Sequence, residues 1–459
     1  MSFFKVFMLI LFYPILPIMY FVLINEAKPR KNIILGVTLP RLALNDSDLI
    51  DICNQFKYAL RKFVLLLAIP PFAVFCVDRS SIMMLILMYW LIFAIIVPFV
   101  PYTRYHRKLK ALKQSKNWKV GTTQKILVDI KAAAEVENQT NAWLFIPAII
   151  ISAYPVVYEL TAGREQTHIS IFLGCCIMLF TTVLFYIFYR LASQLRTEII
   201  DEDSKYNIAL TRVRRYNWAR FWIWAAWLNT FYSIIFWLGI NGRTSFTVFM
   251  LSTIIYAAAM LWAVLKAEFT TRSMQHKLAA ESTKPIYMDE DSHWINGMFY
   301  YNPQDQKTMI SNRVGIGMTM NMARPAGKIV IAFSLLCLLI IPFLPIWMIA
   351  EEFTPLKVEK RDSAIVITHL SEIATIDTAA IESIELLEEL PTSRKIAGTG
   401  LENLKKGTFD VEGYGRGKLY LDPQQPPFIL INTSHGFIII NMHDEICDFV
   451  KTKFPLTGA

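Results

Sequence analysis

Eight long apolar runs divide the chain, and they constrain its fold more than any other feature of the sequence. Most of them approach the ~20 residues that a helix needs to cross the hydrocarbon of a bilayer. The sequence therefore predicts a multi-pass membrane protein. The runs lie at residues 3–24, 63–77, 82–101, 143–160, 169–189, 221–240, 246–265 and 329–350.

Positive charge is sorted into alternate connections between these runs. Of the 46 Lys and Arg residues, 31 fall in four long connections, at 25–62, 102–142, 190–220 and 266–328. The short connections hold one each, namely Arg79, Arg164 and Arg243. Because basic side chains resist translocation, the long connections are predicted to be cytoplasmic, and both chain ends are then predicted to be extracytoplasmic.

The run at 63–77 has only 15 residues and carries Pro70-Pro71 in its middle. A re-entrant segment is the alternative to a full crossing. Without a crossing here, however, the nine Lys and Arg of 102–142 would lie outside, against the charge rule. We therefore interpret 63–77 as a short, distorted span.

The predicted fold is an α-helical integral membrane protein with about eight transmembrane helices and a C-terminal β-rich (α+β) extramembrane domain. Four regions follow from it: a seven-span bundle with basic cytoplasmic loops at 1–265, a cytoplasmic loop at 266–328, an eighth span at 329–350 and an outer β domain at 351–459. That outer segment holds 11 basic and 17 acidic residues, whereas the remainder is strongly basic. The basic surplus indicates contact with anionic lipid headgroups and argues against nucleic-acid binding.

Alternating apolar residues predict strands in the outer segment. Ala364–Thr368, Ile373–Ile376 and Ile381–Leu387 are candidates, and Phe428–Asn432 with Gly436–Asn441 is a predicted hairpin. Helical spacing predicts a terminal helix over Asp444–Phe454. Three glycines are expected to mark a loop: Gly398, Gly400 and Gly407.

Two short motifs carry resemblances to bacterial membrane families. Asn32, Gly36 and Pro40 belong to a segment that resembles the N-x-x-x-G-V-x-x-P pattern shared with the sporulation-delaying-protein immunity family. Residues 291–305 and 312–321 resemble a domain of unknown function in Gram-positive multispanning proteins, with the pattern D-x-H-W-x-x-G-x-F-Y-x-N-P-x-D followed by R-x-G-x-G-x-T-x-N. The strand order of the outer segment resembles a bacterial pleckstrin-homology-like domain.

The segment 289–321 is the leading candidate for a functional site. Its aromatic residues suit a membrane interface, and its glycines permit a tight backbone. A folded interfacial collar is the favoured interpretation, with a partner or lipid site and a metal or catalytic site as alternatives. The candidate contact residues are His293, Trp294, Gly297, Phe299, Tyr300, Asn302, Pro303, Asp305, Arg313, Gly315, Gly317 and Asn321.

The spans carry no ionisable residue near their centres, which disfavours ion-coupled transport. Asn229 is the main polar group, and we expect it to bond a neighbouring helix. We predict a membrane scaffold or sensor whose outer domain binds an envelope peptide, lipid or protein, with possible roles in immunity or signalling. A carrier or an accessory subunit of an export system is the alternative. No enzymatic activity, cofactor or metal site is predicted.

Overall fold

The computed structural model describes residues 2–30, 32–118, 120, 140–161, 169–195, 203–281, 289–434 and 436–443. Within these ranges, eight helices are long and apolar enough to cross a membrane. A β-rich domain follows the last of them. The predicted fold class, a helical membrane protein with a C-terminal β domain, is therefore confirmed.

Within the same described ranges, eleven α-helices build the eight spans. The first span is α1 with α2, the second is α3, the third is α4 with α5, the next four are α6 to α9, and the last is α10 with α11. Their bounds are α1 Ser2–Phe12, α2 Ile15–Ile24, α3 Ser47–Ala68, α4 Ser80–Ile96, α5 Phe99–Ser115, α6 Phe145–Thr161, α7 Ile169–Ser193, α8 Ser204–Ile240, α9 Phe246–Glu281, α10 Pro325–Ile340 and α11 Phe343–Phe353.

Proline explains where three of the spans break. Pro14 separates α1 from α2, Pro98 separates α4 from α5, and Pro342 separates α10 from α11. Proline lacks the amide hydrogen that continues a helix, and its ring displaces the carbonyl one turn earlier.

The second span is longer than the sequence indicated. Helix α3 begins at Ser47, where the Asp46 carboxylate caps it by accepting from the Asp48 amide at 2.9 Å. It continues into a 3-10 helix over Pro70–Cys76, so the whole candidate span Ser47–Cys76 has 30 residues. The second part of the connection predicted at 25–62 is thus the first half of this helix. Its polar residues interrupt the apolar run from which the span was predicted.

The spans associate in two groups. In the first group, α2, α3, α4 and α5 pack together, and α11 packs along α4. In the second group, α6, α7, α8 and α9 pack around one another. Large apolar side chains such as Leu65, Phe231 and Phe333 remain exposed on the outside of these groups. Such a surface requires lipid as its solvent.

Three short strand pairs lie on the side of the long connections, which we call the long-loop face. They are β1 (Ile33–Ile34) with β2 (Val37–Thr38), β3 (Trp294–Ile295) with β4 (Phe299–Tyr300), and β5 (Met309–Ser311) with β6 (Met318–Met320).

In the described part of the β domain, nine strands lie on the opposite side, which we call the β-domain face. One antiparallel sheet has the order β7-β8-β9, and a six-stranded sheet has the order β10-β14-β15-β13-β12-β11. The strands are β7 Lys357–Arg361, β8 Ala364–His369, β9 Glu372–Asp377, β10 Ile381–Leu387, β11 Ser393–Gly400, β12 Lys405–Val411, β13 Gly415–Leu421, β14 Phe428–Thr433 and β15 Gly436–Asn441.

The prediction of a glycine-rich loop in this domain was wrong. Gly398 and Gly400 lie in β11, and Gly407 lies in β12. Gly398 and Gly407 are direct partners across the two strands. A Cβ atom on Gly398 would lie 2.1 Å from the Lys406 carbonyl oxygen, so glycine permits a close approach of two strands here.

The other strand predictions are confirmed. Strands β8, β9 and β10 occupy the predicted segments, and β14 pairs with β15 as an antiparallel hairpin. Buried isoleucines such as Ile365, Ile431 and Ile440 form a core between the sheets. The predicted terminal helix Asp444–Phe454 lies outside the described residues.

Candidate functional site

The segment 289–321, which we call the collar, is tied to the rest of the protein through Asp291. The Asp291 carboxylate accepts from the Thr38 amide at 3.1 Å and from the Thr38 hydroxyl at 2.9 Å. It also forms ion pairs with Arg313 at 2.8 Å and with Lys113 at 2.7 Å. Thr38 belongs to β2 and Lys113 to α5, so one carboxylate joins the collar to the first helix group.

Burial by itself would raise the pKa of Asp291. The charges of Arg313 and Lys113, with the hydrogen bonds from Lys113 and Thr38, outweigh burial and lower this pKa below its usual value. The carboxylate is therefore ionised in the folded collar, where it pairs with the buried Arg313 and shares the half-buried Lys113 with the Asp289 carboxylate.

The lowered pKa of Asp291 predicts an acid-sensitive collar. A carboxyl group whose pKa is lower in the folded state stabilises that state above its unfolded pKa, about 3.9, and this contribution disappears as pH falls through the lower folded value. We expect hydrogen exchange of the collar amides to accelerate in this acid range. The Asp291→Asn variant should lack that step, and an identical acid profile in both proteins would contradict the assignment.

A second network fixes the fold of the collar itself. The Tyr300 hydroxyl donates to Asp305 at 3.1 Å and accepts from the Asn302 amide group at 3.1 Å. The Asn321 side chain accepts from the Asn302 backbone amide at 3.1 Å and donates to the Asp305 carbonyl at 3.1 Å. All four residues are buried, so these bonds replace the water that the polar groups lose. The Arg313 guanidinium also lies 5.6 Å from the centre of the Trp294 ring.

The two motifs found in the sequence meet at a pair of glycines. Gly36 lies in the two-residue turn between β1 and β2, with φ 74°, and Gly297 has φ 71°. A Cβ atom on Gly36 would lie 3.1 Å from the Gly297 Cα and 2.4 Å from the Tyr102 hydroxyl. That hydroxyl donates to the Leu35 carbonyl at 3.2 Å. Absence of a side chain at both positions therefore lets the two turns pack against α5.

The far end of the collar is bound to the second helix group. The Gly315 carbonyl accepts from Arg272 at 2.5 Å, and the Gly317 amide donates to Glu268 at 3.4 Å. Both partners lie in α9, where Arg272 also pairs with Glu268 at 2.6 Å. The Gly315 amide donates at 3.0 Å to Glu26, which follows the first span.

Helix α8 holds the same end of the collar. Arg214 donates to the hydroxyl of Ser311, and the amide group of Gln275 in α9 accepts from Arg214 at 2.7 Å. Trp218 lies under Gly317, where a Cβ atom would be 3.2 Å from the Trp218 ring. The collar therefore bridges the two helix groups at the long-loop face.

Most of the predicted contact residues are buried. Trp294, Gly297, Tyr300, Asn302, Asp305, Arg313 and Asn321 lie inside the collar, so they hold the fold rather than present a surface. Burial within the protein keeps the rings of Trp294 and Tyr300 out of contact with lipid, and their position at the level of the membrane interface stays a prediction. Phe299 and Pro303 are exposed, and His293 is half-buried with its ring 6.3 Å from that of Tyr300. Gly315 and Gly317 are bound to α8 and α9 as described above.

The residues of the first motif serve the same junction. Asn32 is buried, and its carbonyl accepts from the Leu39 amide at 2.7 Å, which closes the β1–β2 hairpin. Pro40 begins the 3-10 helix Arg41–Asn45. Asn32, Gly36 and Pro40 therefore shape the loop that receives the collar.

Sequence reasoning missed the partners that anchor the collar. Lys113, Glu26, Glu268 and Arg272 lie within one or a few turns of the long-loop end of a span. Acidic residues lie among the basic ones at these span ends. This mixture could have indicated ion pairs within the protein, because buried charges must be paired. Those basic residues had been assigned wholly to topology and lipid contact.

A second bridge lies at the β-domain face and is built by β11. Arg394 donates to the Gly242 carbonyl between α8 and α9, and Ile396 packs against the apolar cluster that Trp237 of α8 forms with Ile171 and Cys175 of α7. Further along the strand, the Thr399 hydroxyl donates to Glu351 at 3.1 Å. We call Arg394, Ile396 and Thr399 the outer clamp. It contacts the second helix group at one end and the last span at the other.

Buried charges complete this second bridge. Glu351 pairs with Lys406 of β12 at 2.9 Å, and Lys406 lies 3.2 Å from His369 of β8. The neighbouring Glu352 accepts from the Ser81 amide at the start of α4 at 2.9 Å. The end of α11 is thus fixed both to the β domain and to the third span.

The chemistry of both bridges is that of ion pairs and amide hydrogen bonds. Among the described residues, no group of three His, Cys, Asp or Glu side chains is arranged to hold a metal ion. Comparison with protein-family models, curated proteins and solved structures found no match for the chain.

Proposed function

We propose that this protein is a membrane sensor or scaffold in which an extracytoplasmic β domain receives a signal and the collar reports it at the cytoplasmic face. One observation carries the proposal: two helix groups are bridged at both faces, and the last span joins the two bridges directly. The basic connections supply the orientation, because they favour the cytoplasmic side.

The last span is bound firmly at its ends and faces lipid between them. At one end, Arg324 donates to the Asp305 carbonyl at 2.9 Å, which fixes α10 to the collar. At the other end, Glu351 and Glu352 fix α11 to the β domain. Between them, Gly327 is the one buried residue of α10. Helix α10 therefore has few lateral contacts and can shift with little loss of packing, which suits it to transmission, whereas α11 stays packed along α4.

The polar network inside the second helix group favours this proposal over a carrier. Asn229 donates to the Met178 carbonyl at 3.0 Å and to the Thr182 hydroxyl at 2.9 Å, and it accepts from Tyr256 at 3.0 Å. Ser152 contacts Thr182 and Thr230 at 3.0 Å each. The predicted role of Asn229 in binding a neighbouring helix is confirmed, and these groups stabilise helix association.

Weakening the outer clamp should loosen the collar on the opposite face. We expect the double variant Arg394→Ala/Ile396→Ala, in full-length protein in lipid nanodiscs, to accelerate hydrogen exchange at the amides of β5 and β6. The reason is that the second helix group would lose its contact with the β domain and the last span. Mass spectrometry of the exchanged peptides measures the effect.

Arg416→Ala is the matched control, since Arg416 is exposed in β13 opposite Asp410 and lies outside the clamp. It should leave exchange in the collar at the wild-type rate. Faster exchange confined to β11 and β12 in the double variant, with the collar unchanged, would show that the two faces are uncoupled and would reject the proposal.

A further inference from the structure

The turn between β8 and β9 lies at the membrane end of the β domain. The His369 ring is within 3.0 Å of the Thr354 carbonyl, one residue beyond the end of α11. Strand β7 starts at Lys357, opposite Thr368, so β7 leads away from the membrane and β8 returns to it. Strand β9 then leads away again, which places its residues at increasing height above the bilayer.

Two large apolar side chains are exposed at this membrane end. Leu370 is 47% exposed and Ile373 is 71% exposed. On the adjoining end of α11, Trp347 is 58% exposed and Phe353 is 56% exposed, on the lipid-facing surface of the last span. Tryptophan and other aromatic residues concentrate where a span leaves the bilayer. The apolar surface of the turn thus continues that of the span.

Leu370 also adopts a backbone conformation that disfavours leucine. His369 pairs with Glu372, so Leu370 and Ser371 form a two-residue hairpin turn, and Leu370 has φ 51°. Glycine or asparagine is the favoured residue at such a position, because a Cβ atom is strained there. The strained backbone at Leu370 lowers the stability of the turn. The leucine side chain can offset this cost only if it is removed from water.

We propose that the β8–β9 turn, residues 370–373, inserts Leu370 and Ile373 into the leaflet on the β-domain face. The partner is the lipid surface itself, at the level where the acyl chains meet the headgroups. Glu372 lies within the turn and is 63% exposed while its carboxylate pairs with Lys406 at 3.4 Å, so the turn reaches no deeper than the level at which this carboxylate keeps contact with water and headgroups. The β domain then rests on its own span through His369 and on lipid through the turn. This inference does not depend on the proposed function.

Successive residues of strand β9 allow the depth of the turn in the bilayer to be measured. An environment-sensitive fluorescent amino acid is placed at position 370, 373, 375 or 377 of the full chain, in nanodiscs containing lipids with a quencher in their acyl chains. Positions 373, 375 and 377 lie on one face of β9, and each step of two residues adds about 7 Å. The same fluorescent amino acid at position 362, in the exposed turn between β7 and β8 at the far end of the sheet, gives the emission expected in water.

We expect blue-shifted emission and strong quenching by lipid at 370 and 373, with a steady decline through 375 to 377. Emission at 370 and 373 that matches position 362 would overturn the proposal. Blue-shifted emission without quenching by lipid would also overturn it, because a protein partner rather than lipid would then cover the turn.

The Leu370→Asn variant separates lipid contact from a purely structural role. Asparagine relieves the backbone strain of the turn but cannot insert into lipid. If lipid holds the turn, exchange at residues 369–373 should become faster in nanodiscs despite the better turn residue. Slower exchange in the variant would show that Leu370 is only a strained turn residue, and would also overturn the proposal.

Discussion

Replacing Asp291 with alanine should destabilise the collar by about 3–5 kcal/mol, the typical cost of removing one partner from a buried ion pair. The variant would leave Arg313 without its 2.8 Å ion pair and would remove the acceptor for the Thr38 amide and hydroxyl. The opening free energy of β5 and β6, from hydrogen exchange of the full-length protein, measures the loss.

Two further variants make this prediction specific. Glu359→Ala removes an exposed partner of Arg361 in β7 and should change stability by no more than about 0.5 kcal/mol. The double variant Asp291→Ala/Arg313→Met removes the unpaired cation as well, so it should recover part of the loss. If the double variant loses as much stability as the single variants Asp291→Ala and Arg313→Met lose together, then Asp291 and Arg313 do not act as a pair.

The large-scale architecture was accessible from the sequence, because apolar runs and β alternation depend on residues near one another in the chain. The runs gave all eight spans, and alternation gave β8, β9, β10 and the β14–β15 hairpin. Errors arose where one pattern masked another. The polar first half of α3 was interpreted as a loop, since its amphipathic face packs under the β1–β2 hairpin rather than against lipid.

The bridges could not be predicted in the same way. Asp291 and Thr38 are 253 residues apart, and Arg394 and Gly242 are 152 apart. Neither pair leaves a trace in local spacing, because an ion pair or a carbonyl contact needs only two residues brought close by the whole fold. The glycines of β11 and β12 were predicted to mark a loop but lie in paired strands. Glycine is typical both of turns and of places where two strands approach closely, so its presence alone does not distinguish them.

The junction of the two sequence motifs yields the second large effect, at Gly36. An alanine there would meet the left-handed φ of 74° and a hydroxyl oxygen 2.4 Å from its Cβ. Backbone strain of about 1–2 kcal/mol and overpacking of about 1–3 kcal/mol together predict a loss of roughly 2–5 kcal/mol. Hydrogen exchange of the β1–β2 hairpin and of β3–β4 measures this loss.

Gly413→Ala separates strain from crowding. Gly413 has φ 84°, but nothing lies within 4 Å of its Cβ position, so only the strain of about 1–2 kcal/mol should be lost from the β domain. Tyr102→Phe removes the oxygen that an alanine at position 36 would meet, and in the double variant the two losses should fall short of their sum. Full additivity, or equal losses at Gly36 and Gly413, would mean that the two motifs do not pack against each other through Tyr102. The bridge at the long-loop face would then rest on the Asp291 ion pairs and the α8–α9 contacts alone.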